Sequence, residues 1–534
     1  MCIKTNEMRN KKWRKGLFIS LLSYLFLVSQ AQAAGWKMAG QSIENTRHQK
    51  TENKISPENV ADLSVQWAVT TGGNVSATPA VEGKFIYFPD WAGNLFKVDS
   101  MTGLVVWQRQ ISTYVGPPGN FSRTTPAIHG DLLIFGDQAG RQFAGANVMA
   151  VDKNTGELVW VNHLGEHPAA IITQSATVHG DSVYVGVASL EEAFAAFIPG
   201  YECCTFRGSM ASLDANTGEL RWKTYVVPEG FSGNAIWGSA PAVDTKRSQL
   251  YIATGNNYSA PQEVLDCVAL AGNDADAQRL CLAPYPGNYF DAAIALDLKT
   301  GAVNWSNTVI PFDVWTVACL LGLPTCPNPA GPDFDFGQAP MLYTAAIEGN
   351  GKSKGQTRDL VGVGQKSGIF WSFDPDTGGV VWSTKVSPGG IAGGLQWGSA
   401  FDGNLIYTSS ANSDFKPWEL LDNTITTSGI WSALDPATGE IVWQTENPAG
   451  NFNAGGPVSV ANGVVYVCSQ DPEGHMFALE AATGTVSWSF VSGGSCNGGA
   501  AIANGKVYWG SGYDSIGGPT NTPNNKIYAF ELPK

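Results

Sequence analysis

Basic residues are scarce in this chain. Its 534 residues hold 32 Lys and Arg against 46 Asp and Glu, a net charge of −14, and only 15% of positions are charged at all. That deficit argues against a polyanionic nucleic acid as partner and against docking on an anionic membrane surface. Long apolar runs are missing beyond the first 33 residues, so no spanning helix is expected in the remainder. No C-x-x-C occurs, which weakens a zinc-cluster reading, and no C-x-x-C-H, so the chain carries no c-type haem of its own. What is plentiful is turn formers, 62 Gly and 29 Pro, within a chain that is 43% apolar. Such a chain is globular rather than disordered, and rich in strands and turns rather than a helical bundle.

The opening residues read as an export signal. Lys11, Lys12, Arg14 and Lys15 form a basic region, Gly16 to Val28 an apolar one too short to span a bilayer, and Ala31-Gln32-Ala33 a small-residue cleavage site. Residues 1–33 are therefore expected to be a removable leader and 34–534 the mature domain, exported to the periplasm or beyond. Loss of the leader's six Lys and Arg and one Glu takes the net charge from −14 to −19. Cys2 leaves with it and eight cysteines remain, an even number suited to disulfides in an oxidising compartment. Proximity along the chain favours Cys267–Cys281, Cys319–Cys326 and Cys468–Cys496, which leaves the neighbours Cys203 and Cys204.

One pattern fills the mature chain: an acidic residue, two others, Thr-Gly, three others, Trp. Its copies start at Asp99, Asp152, Asp214, Asp297, Asp374, Asp435 and Glu480 and end at Trp107, Trp160, Trp222, Trp305, Trp382, Trp443 and Trp488. Each follows a short β-rich run, so each copy reads as a β-hairpin. Further strand-like runs separate the copies, several introduced by Thr-Pro-Ala or Ala-Pro-Ala, as at Thr78–Ala80, Thr125–Ala127 and Ala240–Ala242. Repeated four-stranded units that cannot bury their faces alone make a β-propeller. Trp67 lies in a strand with no D-x-x-T-G before it, and the C-terminal strands lack a Trp-bearing partner. The N-terminal strand is therefore expected to complete the last of eight blades. The middle repeats are spaced more widely than a bare blade needs, which places long loops, and with them the chemistry, on one face.

The Trp repeat, the adjacent Cys203-Cys204 pair in Glu202-Cys203-Cys204-Thr205-Phe206-Arg207-Gly208 and the export signal together resemble the quinoprotein alcohol dehydrogenases, nearest to their polyvinyl-alcohol-dehydrogenase-like branch. Propellers with this repeat also serve as outer-membrane assembly scaffolds, so the site residues carry the functional expectation. The resemblance implies pyrroloquinoline quinone with calcium or a lanthanide. It implies that Cys203 and Cys204 pack as a disulfide ring against the quinone, although here the pair precedes the Asp214 hairpin and not the family's usual earlier loop. Trp237, in Ala235-Ile236-Trp237-Gly238, would be the floor. Arg123 would bind a cofactor carboxylate, Thr173 would add a donor, and Lys366 would place positive charge beside the quinone oxygens. Glu44, Gln396 and Trp397 align more loosely.

For the metal, Glu191 and Asn256 match the family's carboxylate and amide ligands, with Glu192 able to substitute for Glu191. In Pro332-Asp333-Phe334-Asp335 the resemblance makes Asp333 the catalytic base and a metal ligand, and Asp335 a further ligand associated in the family with lanthanides. Asp313 is the rival base. Asn451-Phe452-Asn453 stands where these dehydrogenases commonly place a Trp, which implies an open mouth suited to a bulky or polymeric secondary alcohol. The expected partners are an alcohol and a separate electron acceptor such as cytochrome c. The alternatives are a cofactor-less scaffold and a quinone-dependent sugar or aldehyde dehydrogenase.

Overall fold

The computed structural model describes residues 35–138, 145–346, 356–514 and 521–534. The leader expected at 1–33 lies outside the described residues. Eight antiparallel sheets, each with four blade strands, follow one another along the chain, and the third gains a short fifth strand, Ala170–Ile171. Seven are built from consecutive strands, within residues 80–110, 127–163, 177–225, 242–308, 341–385, 400–446 and 459–491. The eighth takes its three inner strands from 501–531 and its outermost from Ser64–Thr70, which pairs antiparallel with Lys526–Glu531. The expected eight-bladed propeller, closed by its N-terminal strand, is what forms.

The repeat explains why the blades hold together. In an outermost strand such as Leu158–His163, only the tryptophan is buried. All eight indoles, Trp67 included, donate through Nε1 to a backbone carbonyl of the following blade at 2.9–3.3 Å. In six of the seven motif blades the acceptor is the residue just after the next motif's acid, as in Trp160 to Ala215 at 3.0 Å. Trp488 docks on Leu63 at 2.9 Å and Trp67 on Ser100 at 3.1 Å, so the ring of contacts closes through the N-terminal strand. The motif's acid caps its own turn: Asp435 accepts from the N–H groups of Ala437 and Thr438, both at 2.9 Å. Its glycine is required twice over. Gly439 has φ +77°, a region that disfavours side chains, and a Cβ there would come within 2.3 Å of the Trp382 ring.

A second device runs along the inside. Residues 36–47 form a belt against the innermost strands, where carbonyls of Trp36, Lys37, Ile43, Glu44, Thr46 and Arg47 accept from Val81, Ile128, Val243, Leu342, Phe401 and Val460. That places one segment on blades 1, 2, 4, 5, 6 and 7. Strand alternation sends the D-x-x-T-G turns to one end of the blades. The connections between second and third strands, and between successive blades, go to the other end. The long inserts lie at that other end. They include helix α1 (Glu191–Phe197) and the pair α2 (Gln262–Ala271) and α3 (Ala275–Leu282), the last two tied by Cys267–Cys281. Cys319–Cys326 and Cys468–Cys496 also form, as does Cys203–Cys204. Among the described residues no helix is long and apolar enough to cross a membrane.

Candidate active site

At the insert-bearing end a cavity of about 200 Å³ opens near the axis. Its wall comes from loops of most of the blades, and four of the expected cofactor residues meet there: Arg123, Thr173, Trp237 and Lys366. Gln396 and Trp397 join them, as does Asp335. Glu44 does not. It belongs to the belt, and its carbonyl serves Leu342.

The cavity is electrostatically two-sided. On one side lies Arg123, half-buried with its Nε and Nη1 out of solvent, its guanidinium 4.9 Å from the Trp397 ring centroid. Its Nε and Nη1 have no hydrogen-bond partner. Burial pulls its pKa below the usual arginine value, partly offset by the Tyr513 hydroxyl. A buried guanidinium with unused donors is costly unless an anion meets it. Trp397 Nε1 is also buried without a partner.

On the other side lies an acidic cluster around one ammonium. Lys366 Nζ is 2.9 Å from Asp333 Oδ1 and 3.2 Å from Asp335 Oδ2. Burial works against its charge, but the two carboxylates hold it protonated. Asp335 also accepts from Trp237 Nε1 at 2.8 Å and from the Asn256 N–H at 2.8 Å, so it fixes the indole at the cavity wall. Asp333, 1% exposed and at φ +58°, sits behind Lys366 and off the wall. Burial pushes its carboxyl well up, against the pull of Lys366. Asp313, the rival base, instead supports it: its oxygens accept from the N–H groups of Asp333 at 3.1 Å and Phe334 at 2.8 Å. Burial raises Asp313 to about 6, those two N–H groups acting against the rise. Asn256 spends its amide hydrogens on the carbonyls of Asn257 at 2.7 Å and Trp315 at 2.8 Å, so Oδ1 is what it can offer a ligand.

Two expectations need correction. Glu191 does not face the cavity. Its carboxylate is buried under the loop that carries the cysteine pair, where it accepts from Thr205 N at 2.8 Å, Phe206 N at 2.7 Å and the Tyr201 hydroxyl at 3.0 Å. Burial alone would raise its pKa, but those N–H groups and His167 at 3.3 Å hold it below the usual glutamate value. The carboxylate at the cavity wall is Glu192, pushed up to about 7 by burial and by Asp335, with Lys366 opposing. Nor does Cys203–Cys204 form part of the wall. The pair rides on the loop that Glu191 anchors, with the Cys204 carbonyl accepting from Ser259 Oγ at 3.3 Å beside the wall residue Tyr258.

Sequence reasoning also missed Gln470 and Asn497, hydrogen-bonded to each other at 2.9 Å on the wall. The Asn453 carbonyl of the expected rim segment holds Gln470 N at 2.9 Å, which puts that segment behind the wall.

The donor set fits an anionic, planar cofactor: an unpaired guanidinium at one end, indoles at the sides and an ammonium at the other. Glu192, Asp335 and Asn256 are hard oxygen donors of the kind an oxophilic cation takes. Carboxyl groups outnumber ammonium groups on that side. Among the described residues, however, no three His, Cys, Asp or Glu side chains are already gathered as a metal cluster.

Fold and repeat define an eight-bladed propeller, and comparison with known proteins agrees. Residues 61–307 and 366–519 match the family described as "Outer membrane protein assembly factor BamB". The chain belongs to this family of propellers. It is similar to the polyvinylalcohol dehydrogenase of Sphingopyxis sp. (strain 113P3), 29% identical over 91% of this chain and 74% of the relative. A polyvinylalcohol dehydrogenase from Pseudomonas sp. is 28% identical over 90% of this chain and 73% of its own length. The fold superposes on the quinohemoprotein alcohol dehydrogenase of Comamonas testosteroni with a TM-score of 0.68, at 18% identity, over 94% of this chain and 82% of that one.

Proposed function

We propose that this chain is an exported enzyme that oxidises a secondary or polymeric alcohol with pyrroloquinoline quinone and a hard cation. Its electrons would go to a separate acceptor such as cytochrome c. The observation that carries the reading is one cavity lined by Arg123, which has no carboxylate partner among the described residues, and by Lys366 and Asp335, with Asp333 behind Lys366. The family membership and the two polyvinylalcohol dehydrogenase relatives support alcohol as the substrate class. Bound there, the quinone and its cation supply a two-electron, hydride-accepting centre.

The chain's own residues do the rest. Arg123 pairs with a cofactor carboxylate, and Thr173 stands beside it. Trp237, pinned by Asp335, gives a flat apolar wall that orients a ring by offset stacking. Glu192, Asp335 and Asn256 Oδ1 would hold the cation, and Asp333 would stand behind them. The carbinol proton goes to the Asp333–Lys366–Asp335 unit. Asp333 is the terminal base there, its raised pKa suiting it to take up a proton and Lys366 keeping the unit oriented. Asp313 fixes the Asp333 backbone so that the base cannot swing away. Calcium and a lanthanide are both compatible with this oxygen set.

The test is reconstitution of the mature protein with quinone and either calcium or a light lanthanide. Dye reduction is then followed with a panel of alcohols that includes polyvinyl alcohol, and with sugars and aldehydes. Turnover of alcohols with one of the metals is expected. If no quinone is retained through gel filtration with either metal, the enzyme reading fails and an assembly scaffold becomes the better account.

A further inference from the structure

Behind the wall formed by Arg123 and Trp397 lies a second, smaller cavity of about 50 Å³. The Thr-Pro-Ala motifs explain its chemistry. Each introduces the innermost strand of a blade, and hydroxyl residues there converge on the axis: Thr78 and Thr125 line this cavity, with Ser175 at the equivalent place of the third blade and Ser239 one residue ahead of it in the fourth. The belt delivers Arg47 to the same point. Its guanidinium is 1% exposed and bonds only to neutral acceptors: the Val458 carbonyl at 2.6 Å, the Ala39 carbonyl at 2.7 Å and Thr78 Oγ1 at 3.1 Å. Neither Arg47 nor Arg123 has a carboxylate partner among the described residues, although both line this space.

Two buried cations therefore share one small cavity with no counter-charge among the described residues. Burial pulls Arg47 down to about 9. The cavity also contains unused donors. Ser239 Oγ, Trp397 Nε1 and Arg123 Nε and Nη1 are buried without hydrogen-bond partners. Water could satisfy the hydroxyl, since the space exceeds what one water needs. Water leaves both charges uncompensated, and a desolvated charge without its partner is the costlier defect.

We infer that this axial cavity is a binding site for a small monovalent anion of halide size, held between Arg47 and Arg123 with Ser239 and the Trp397 indole as donors. It is separate from the cofactor cavity and sets the charge beneath it. A carboxylate of the quinone is the alternative source of negative charge, reaching Arg123 from the far side, and the experiment separates the two. The two cavities share Arg123 and Trp397, so the inference touches the quinone reading there, and the quinone-free crystal tests it apart from that reading.

Crystals of the mature protein, with and without bound quinone, are soaked in bromide and the anomalous density is measured. Melting is followed in parallel in chloride and in gluconate at equal ionic strength. The expected result is a bromide peak in contact with Ser239 Oγ and both guanidiniums in both crystals, with Tm about 1–3 °C higher in chloride. A Ser239→Val variant, which fills the space with methyl groups, is expected to lose the peak and the chloride shift. This variant keeps the test decisive if Arg47→Met fails to fold. A bromide peak confined to the cofactor cavity and lost when quinone binds would overturn the inference, as would equal melting in both salts with no peak.

Discussion

The eight docked indoles and the polar groups around the axis are both products of the same repeat, yet they end in opposite states. On the outside each of the eight docked Trp Nε1 groups has its carbonyl, and the capping acids take their turn N–H groups. At the axis, Arg123, Trp397 and Ser239 hold donors with no partner, and Lys366 is shared by two carboxylates in a cluster rich in acid. A satisfied contact can be repeated in every blade because it needs nothing from outside. Each unsatisfied group in a native interior calls for an explanation, and at Arg123, Ser239 and Trp397, which line two adjoining cavities, a bound molecule can supply it. Substitutions in the two regions should therefore fail in different ways.

Lys366→Ala should have the largest effect. It leaves Asp333 and Asp335 facing each other across a buried gap and removes the positive charge at the reacting end. Turnover by the reconstituted protein is expected to fall about 10³-fold while the propeller still forms. Steady-state dye reduction, with circular dichroism as the fold control, checks it. Near-normal turnover would remove Lys366 from the machinery. The matching break on the outside is Gly439→Val, which forces a branched side chain into a left-handed turn and into the Trp382 ring. About 3 kcal/mol of stability should be lost, read as a lowered denaturation midpoint, with turnover per loaded molecule unchanged. Gly83 also has positive φ, but a Cβ there would meet nothing within 4 Å. Gly83→Asn should therefore cost well under about 1 kcal/mol.

How much of this the sequence discloses follows the same division. The outer ring is a local pattern of nine residues, so blade number, closure by the N-terminal strand and the three longer-range disulfides could all be read along the chain. Arg123, Thr173, Trp237 and Lys366 were legible through short motifs and do converge. Glu191 and Glu192 were not separable, because neighbours on a helix point about 100° apart and only the setting of the helix decides which one faces inward. The belt of residues 36–47 carries no periodicity. Its main-chain bonds go to six different blades, and backbone bonding leaves no signature in side-chain type. Gln470 and Asn497 come from separate loops and meet only when the ring closes. The small axial cavity was not legible, since Thr-Pro-Ala marks only the start of a strand and Arg47 reaches the same point from a distant segment.

Glu191→Gln sharpens the comparison at the border between the two regions, since this carboxylate is fully satisfied yet belongs to the functional face. Its loss of charge weakens the bonds from Thr205 and Phe206 and should cost about 1–2 kcal/mol locally. Faster hydrogen exchange at those two amides is the readout, with global melting little moved. The pH sign follows from the depressed pKa of Glu191. Its contribution is complete above the ordinary glutamate value and is lost as pH falls through the lower value of the folded state. The wild-type loop should therefore loosen in acid, and the variant should show no such step.

The smallest effect tests whether the outer ring is additive. Trp382→Phe keeps most of the ring area against the Gly439 turn but removes the donor to the Pro436 carbonyl, 3.2 Å away. One such hydrogen bond is worth about 0.5–1.5 kcal/mol net, so a single variant should shift the denaturation midpoint slightly. If docks act independently, combining it with Trp67→Phe on the far side of the ring should give the sum of the two shifts. Trp67 sits in the strand that closes the circle, however, and its loss also loosens the pairing of Ser64–Thr70 with Lys526–Glu531. A larger cost for Trp67→Phe than for Trp382→Phe is therefore expected. Equal costs would mean that the closing strand is held by its backbone ladder alone, and that its indole is one dock among eight.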